Sequence, residues 1–396
     1  MIDRETALSL ILQHEKIADS ETVELSDSVG RVLTQPVLAR RNQPPADMSA
    51  MDGYAVQKSD AISGARLRVI GEAAAGAPFS GQVGAGECVR IFTGSVIPDG
   101  ADFVVIQEDT RRDGDWIEIA KAQTGAGHIR RAGIDFAEGQ ELIASGARLK
   151  PRHIAVCAAA NHDILQVRRK PRVGLLSNGD ELRPPGSVLE PGQIIASNDY
   201  ALEALITAWG GEAVRLGITP DDPDAIRNCI LKAEAMDVFV PIGGASVGDH
   251  DQMKPVFSSL GYQEVFSKVA IRPGKPTWMF RSEETTALGL PGNPASALVC
   301  AHLFLRPLVK TLLGLLQAED WVQAKLTEAI PSNGQREAFS RAQLVRQRSG
   351  ELCVQPAGNQ DSSLLTPFIE ADVLIRRAPG ASALEAGDLV DCVLLD

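Results

Sequence analysis

The sequence predicts a multidomain α/β plus β protein, and three observations carry that expectation. Residues 172–315 alternate apolar, β-branched runs with helical segments, the pattern of a doubly wound sheet whose crossover helices cover both faces. Residues 41–140 hold short β-branched runs between Gly, Ala, Asp and Pro turns, which reads as a β-rich inserted domain. Residues 316–396 alternate apolar and polar positions between Gly and Pro turns with no long helix, as a small β-barrel or sandwich does. A chain of 396 residues is long enough for two to four such cores.

Taken in order, Arg4 to His14 reads as an amphipathic helix, followed by a β-leaning stretch to Leu38 that turns at Gly30. This helix has no evident neighbour in its own segment, so it is expected to pack on a distant part of the chain or on a second subunit. In the insertion the strand candidates are Leu67–Ile70, Cys88–Phe92, Phe103–Gln107 and Trp116–Ile119. Pro151–Ala160 is a short apolar helix, and the basic tract Arg168-Arg169-Lys170-Pro171-Arg172 reads as a solvated connector. The α/β segment then offers strand Val173–Leu176, helix Asn198–Trp209, strand Glu212–Ile218, helix Pro223–Ala235, strand Asp237–Ile242 and helix Ala295–Leu313. In the last segment the alternating runs are Leu352–Gln355, Val373–Arg376 and Leu389–Leu394.

Composition narrows the function. A net charge of −12 argues against a general nucleic-acid partner, which needs a basic face, yet leaves room for a local anion pocket. The six cysteines are scattered with no C-x-x-C spacing, so buried free thiols in a reducing cytoplasm are expected. The N-terminal run has early acids and only a short apolar stretch, so it reads as an amphipathic helix and not as a signal peptide, and no stretch is expected to approach the length that spans a bilayer.

The chemistry concentrates between residues 239 and 300, where three glycine-marked turns follow one another: Gly243-Gly244-Ala245-Ser246-Val247-Gly248-Asp249, Arg272-Pro273-Gly274-Lys275-Pro276 and Leu290-Pro291-Gly292-Asn293-Pro294. Each follows an apolar run, so backbone donors and charges are expected to converge on one anion beyond the carboxyl ends of the strands. Asp249 and Asp251 suit Mg²⁺ held against a phosphate, or else simply flank a tight strand-to-helix turn. Asp180 and Glu181 read as a metal-binding or water-orienting pair, or as acids at a helix start. Arg272 and Lys275 present two cations on a constrained turn suited to a phosphate or another oxyanion. Within the insertion, the segment Pro44 to Val56 (with Asp52), Thr93 before Gly94, and Arg130 to Asp135 each read singly as structural.

Together these segments closely resemble the molybdopterin molybdenumtransferase family, which includes the C-terminal domain of gephyrin. The resemblance rests on Ser49-Ala50-Met51-Asp52-Gly53-Tyr54-Ala55, Phe92-Thr93-Gly94, Arg130 to Asp135, Asn178-Gly179-Asp180-Glu181-Leu182, Ser197-Asn198, the three glycine turns and Pro356 to Ser362, spread over nearly the whole chain. It implies a doubly wound α/β domain (172–315) with a β-rich inserted domain (41–140), an extended connecting and dimerisation domain (1–40 and 141–171) and a C-terminal β-barrel (316–396). It also implies insertion of molybdate into adenylylated molybdopterin with Mg²⁺-dependent release of AMP, in a cleft shared across an elongated homodimer.

The implied catalytic residues are Asp52, Thr93, Glu181 and Asp251, with Asp180, Glu181, Asp249 and Asp251 holding Mg²⁺. The implied substrate-binding residues lie on every segment. Arg130 and Asp135 belong to the insertion; Gly243, Gly244, Ser246, Pro291, Gly292 and Pro294 shape the pterin-phosphate pocket; Arg272 and Lys275 hold the anion; Arg341 and Ser362 come from the last domain. Arg272 stands where many relatives have Lys, keeping the charge and changing the hydrogen-bonding fork. A molybdopterin adenylyltransferase that supplies the substrate and molybdoenzymes that accept the product are the implied partners, with no nucleic acid or membrane. Adenylylation itself is the competing activity, but smaller proteins that resemble residues 172–315 alone carry it and need neither the insertion nor the last domain.

Overall fold

The computed structural model describes residues 1–13, 15–121, 125, 127–233, 235–244, 252–315, 320–348 and 350–395, in two compact units, Met1–Glu21 with Arg168–Asp396, and Thr22–Val167. In the first unit one sheet runs in the order Glu212–Thr219, Arg172–Asn178, Val238–Ile242, Thr286–Gly289, Trp278–Arg281, Gln263–Phe266. Its first four strands are parallel, and each of the last two pairs antiparallel with the strand before it. The central parallel strands Arg172–Asn178 and Val238–Ile242 are buried on both faces because helices cover both, and Val173, Leu175, Leu176, Val238 and Val240 are fully buried. The helices Asn198–Trp209 and Pro223–Lys232 make the crossovers. The first stops at Gly210, in the left-handed region at φ 102°, and Asp222 caps the second by accepting from the Ala225 N–H at 2.7 Å.

The α/β class is as the sequence predicts, but the antiparallel edge is not legible there. Trp278-Met279-Phe280 is a short run without alternation, because Met279 is as fully buried as Trp278 and Phe280, which pack into the core of Phe257, Met253 and Ile226.

The helical segment Pro294–Leu312 passes through a π-helical turn at Ala301–Leu305. It corrects one expectation, since its length and hydropathy do suffice to cross a membrane, although 83% of its apolar window is buried inside the fold. The N-terminal helix, Arg4–Leu12, packs against this segment in its own chain. Arg4 Nε donates to buried Glu337 at 3.0 Å, which resolves where the helix finds its neighbour. The basic tract is likewise no free connector. Arg169 makes two 2.7 Å bonds to the Asp237 carboxylate, and the Arg172 N–H donates to the same group at 2.7 Å.

The last segment is a closed five-stranded barrel of Trp321–Leu326, Glu337–Arg346, Leu352–Pro356, Val373–Arg377 and Leu389–Leu394. Glu337–Arg346 closes it by pairing with both Leu352–Pro356 and Val373–Arg377. The same strand pairs in parallel with Ile271–Arg272, tying one glycine turn of the α/β segment to the barrel.

The second unit is built on a six-stranded sheet in the order Phe103–Ile106, Gly53–Val56, Glu87–Ile91, Arg66–Ala73, Trp116–Ile119, Thr110–Asp113. Helix Pro151–Ala159 belongs to a separate cluster with Leu33, Leu149 and Val167. All six cysteines are free; Cys229 is half-buried and the rest buried. Burial pushes the Cys88, Cys300 and Cys392 thiols up to about 12, which leaves them protonated and unreactive.

Candidate active site

At the carboxyl ends of the parallel strands lies a cleft of about 840 Å³, lined among others by Asn178, Glu181, Asp221, Gly243, Gly244 and Gly292. Asn178 ends its strand by donating to the Pro220 carbonyl at 3.0 Å, which draws the two strand ends together. Asp180 Oδ1 accepts from the Asp221 N–H at 3.3 Å, so the Asp180–Glu181 pair sits in a turn and not at a helix start. Gly243 has φ 91°, and a Cβ there would lie 2.8 Å from the Asn178 carbonyl oxygen. Only glycine fits this floor without strain. Gly292 faces it, with its own would-be Cβ 3.4 Å from the Gly243 Cα.

Asn198 Nδ2 donates to the Gly292 carbonyl at 2.8 Å and fixes the far wall, while Pro294 opens the long helix behind it. Cleft size and a mixed lining of backbone groups and carboxylates suit a small polar ligand. Ser246, Asp249 and Asp251, expected in the same place, lie outside the described residues.

A second cleft, of about 570 Å³, adjoins the first and shares Pro276, Pro291 and Asn293 with it. Arg272 and Lys275 line it, and neither side chain is ion-paired among the described residues. Their turn is held rigidly: Gly274 has φ 111° with a would-be Cβ 2.3 Å from Cys300 Sγ, and Thr277 Oγ1 donates to the Gly274 carbonyl at 2.8 Å. Ser362 reaches this cleft on a loop from the barrel and accepts from Asn293 Nδ2 at 3.1 Å.

Arg341 stands behind that wall. It is 2% exposed, and its guanidinium donates to the carbonyls of Leu364 (2.8 Å), Asp361 (3.1 Å) and Asn359 (3.3 Å). With its donors spent on the loop, it shapes the cleft through Ser362 and does not line it.

In the other unit Asp52 and Thr93 meet. Asp52 Oδ1 accepts from the Thr93 N–H at 2.8 Å and from its hydroxyl at 2.9 Å. Those two bonds, with Arg90 nearby, hold the Asp52 carboxyl below its usual range, so at neutral pH it is an acceptor or metal ligand and no proton donor. Arg90 is fixed in turn by a 3.0 Å bond to the Gly53 carbonyl and by stacking on Phe92. Arg130 is exposed on the two-residue strand Ile129–Arg130, which pairs with Met48–Ser49 next to Asp52. Asp135 is exposed beyond it, its N–H bonded to the Gln43 carbonyl.

Sequence reasoning missed Asp221 and Arg336 as lining residues. Asp221-Asp222-Pro223 carries only a helix-capping signal, and Arg336 precedes a strand that was not read. Among the described residues no group of three or more acids, histidines or cysteines is placed to hold a metal. Glu181 and Asp221 do share the first cleft, and two carboxylates completed by substrate oxygens are a usual Mg²⁺ donor set. The described residues therefore fit magnesium carried in with a phosphate.

Three family descriptions cover the chain in order: MoeA N-terminal region (domain I and II) at residues 2–161, probable molybdopterin binding domain at 174–311, and MoeA C-terminal region (domain IV) at 323–395. The molybdopterin molybdenumtransferase of Nostoc sp. is 36% identical over 85% of this chain and 80% of its own length. That of Haemophilus influenzae is 32% identical over 94% and 93%. A crystal structure of the molybdopterin biosynthesis MoeA protein from Pyrococcus horikoshii superposes with a TM-score of 0.87 at 30% identity, covering 100% of this chain and 99% of the other.

Fold and relatives together define a transferase that serves molybdenum cofactor biosynthesis. The chain belongs to the molybdopterin molybdenumtransferase family.

Proposed function

We propose that this protein inserts molybdate into adenylylated molybdopterin, with magnesium-dependent cleavage of the pyrophosphate bond and release of AMP, and that it works as a homodimer. The observation that carries the reading is the pair of adjoining clefts, one with close-approach glycines and carboxylates, the other with cations that have no ion-pair partner among the described residues. The pterin phosphate lies against Gly243, Gly244, Pro291, Gly292 and Pro294, with Ser246 adding a hydroxyl, and Arg272 and Lys275 hold the oxyanion next to it. Two molybdate oxygens leave as water, taking the protons of the two dithiolene thiols and two more from solvent as the sulfurs bond to molybdenum, and water cleaves the pyrophosphate so that AMP departs while the pterin keeps its phosphate. Magnesium, when bound, neutralises the pyrophosphate charge; Asp180, Glu181, Asp249 and Asp251 are the carboxylates proposed to hold it.

Asp52, kept ionised by Thr93, orients an oxo group or water at the reacting centre, with Arg130 and Asp135 nearby. These residues come to the cleft from the second subunit. Exposed apolar side chains support that arrangement: Met51 and Ile134 beside Asp52 and Asp135, and Val188, Leu189 and Ile194 in the stretch after Glu181 that ends in the short strand Ile194–Ile195. Six free cysteines agree with a reducing cytoplasm.

The test is AMP release from adenylylated molybdopterin by the purified protein with Mg²⁺ and molybdate. Asp52→Ala is expected to abolish turnover with an unchanged circular dichroism spectrum, and mixing it with Glu181→Ala is expected to restore part of the activity through mixed dimers. Consumption of ATP with free molybdopterin would instead establish adenylylation.

A further inference from the structure

Asp52 is held by more than its bonds to Thr93. Both of those bonds fall on Oδ1, so Oδ2 has no partner among the described residues and is the oxygen left for a substrate. The backbone behind the carboxylate is fixed as well. The Asp52 carbonyl accepts from the Gln107 N–H at 3.1 Å, and a Cβ at Gly53 would collide with the Val105 carbonyl oxygen, which leaves the chain one path past the strand Phe103–Ile106.

Arg90 ties these parts together. It is half-buried in the strand Glu87–Ile91, directly across from Tyr54, and its Nη1 donates to the Gly53 carbonyl at 3.0 Å while its Nη2 donates to Gln107 Oε1 at 2.6 Å. One planar fork thus grips the residue that follows Asp52 and the residue whose N–H holds the Asp52 carbonyl. The guanidinium also lies 5.2 Å from the Tyr54 ring centre and 4.7 Å from that of Phe92, the residue before Thr93. Its charge is one of the influences that keep Asp52 ionised. Sheet formation does not need these bonds, because the strand Gly53–Val56 is already paired by backbone on both sides, to Glu87–Ile91 and to Phe103–Ile106.

We propose that Arg90 is a positioning residue for the transfer reaction, locking the Asp52–Gly53 segment against Gln107 and Phe92 so that Asp52 Oδ2 is aimed at the substrate. Arg90 acts through Asp52 and touches no substrate itself. The proposal rests on the reading that Asp52 works at the reacting centre.

AMP release from adenylylated molybdopterin with Mg²⁺ and molybdate tests it, measured for the full-length wild type and for Asp52→Ala, Thr93→Val, Arg90→Gln, Arg90→Lys and the Arg90→Gln/Thr93→Val double variant. Arg90→Gln is expected to lower kcat about 10- to 100-fold, the range for a misplaced reacting group, with KM and the circular dichroism spectrum unchanged. Arg90→Lys keeps the charge and a donor for the Gly53 carbonyl but loses the second arm, and is expected to recover part of that loss. Because Arg90 and Thr93 both act through Asp52, the double variant is expected to fall little below the slower of the two single variants. A substitution that only weakened the sheet would multiply with Thr93→Val, so losses that multiply would overturn the proposal. The same cycle run with Arg90→Lys decides the matter where Gln disturbs folding. A wild-type kcat in Arg90→Gln beside an inactive Asp52→Ala would overturn the proposal and leave the Asp52 reading standing, whereas full turnover in Asp52→Ala would overturn both.

Discussion

His302 gives a sharp test of how the fold treats an ionisable group in its core. It lies in the π-helical turn of the Pro294–Leu312 segment, 4% exposed, edge-on to Trp209 at 5.4 Å, and its Nδ1 has no hydrogen-bond partner. Burial, aided by the charge of Arg306, lowers its pKa from 6.5 to about 3. A histidine whose folded pKa is depressed binds its proton in the unfolded chain first. Stability is therefore intact above the unfolded pKa and falls as pH drops below it, down to the folded value.

At about pH 5, roughly 1.5 units below the unfolded value, the cost is about 2 kcal/mol at 1.36 kcal/mol per unit. That corresponds to about a 30-fold loss of protection when hydrogen exchange in this helix is followed from neutral pH to about pH 5, corrected for the intrinsic exchange rate. His302→Leu keeps an apolar side chain of similar volume and is expected to abolish this difference, whatever its effect on absolute stability. The same 30-fold loss in the Leu variant, or a His302 proton resonance that titrates near its ordinary value in the folded protein, would refute the reasoning.

Two further substitutions probe the cleft and its support. Gly243→Ala puts a methyl 2.8 Å from the Asn178 carbonyl oxygen at φ 91°, while Gly186→Ala meets nothing within 4 Å at φ 90°. Both incur the left-handed backbone cost of about 1–2 kcal/mol, but only the Gly243 variant is expected to raise KM and slow AMP release; equal kinetics in the two would show that the floor contact is irrelevant. Glu337→Ala removes the buried carboxylate whose opposite oxygens bond Arg4 and Arg376, leaving them the longer ion pairs to Glu5 at 3.5 Å and Asp391 at 4.0 Å. Loss of one member of a buried charge cluster costs about 3–5 kcal/mol, and a urea midpoint unchanged from wild type would contradict it.

Much of the α/β segment is legible because burial on two faces writes a continuous apolar run. The Asn198–Trp209 helix has the bounds the sequence predicts, and so does the Leu389–Leu394 strand. Glu337–Arg346 is not legible, although it is the longest barrel strand, because its buried positions include Glu337, Ala338, Arg341 and Ala342 in place of β-branched residues. Charges buried by pairing look like solvated charges in a sequence, and the same blindness made the Arg169 tract read as a connector. The candidate site was legible where glycine geometry demanded it, at Gly243 and Gly274. It was not legible where a residue's role depends on a partner distant in sequence: Arg341 reads as a ligand until its loop is seen to take its donors, and Asp221 reads as a cap until its strand end is set beside Glu181.

The Arg4–Glu337 bond joins residues 333 positions apart, and Glu337 sits beside the strand pairing that secures the Arg272 turn. Contacts so remote in sequence form late, because loop closure must precede them. On the ribosome the α/β segment emerges with its cation turn still unsupported, and the first helix of the chain has to wait for the barrel. The cleft at the Arg272 turn is accordingly completed only after the Glu337–Arg346 strand has been synthesised.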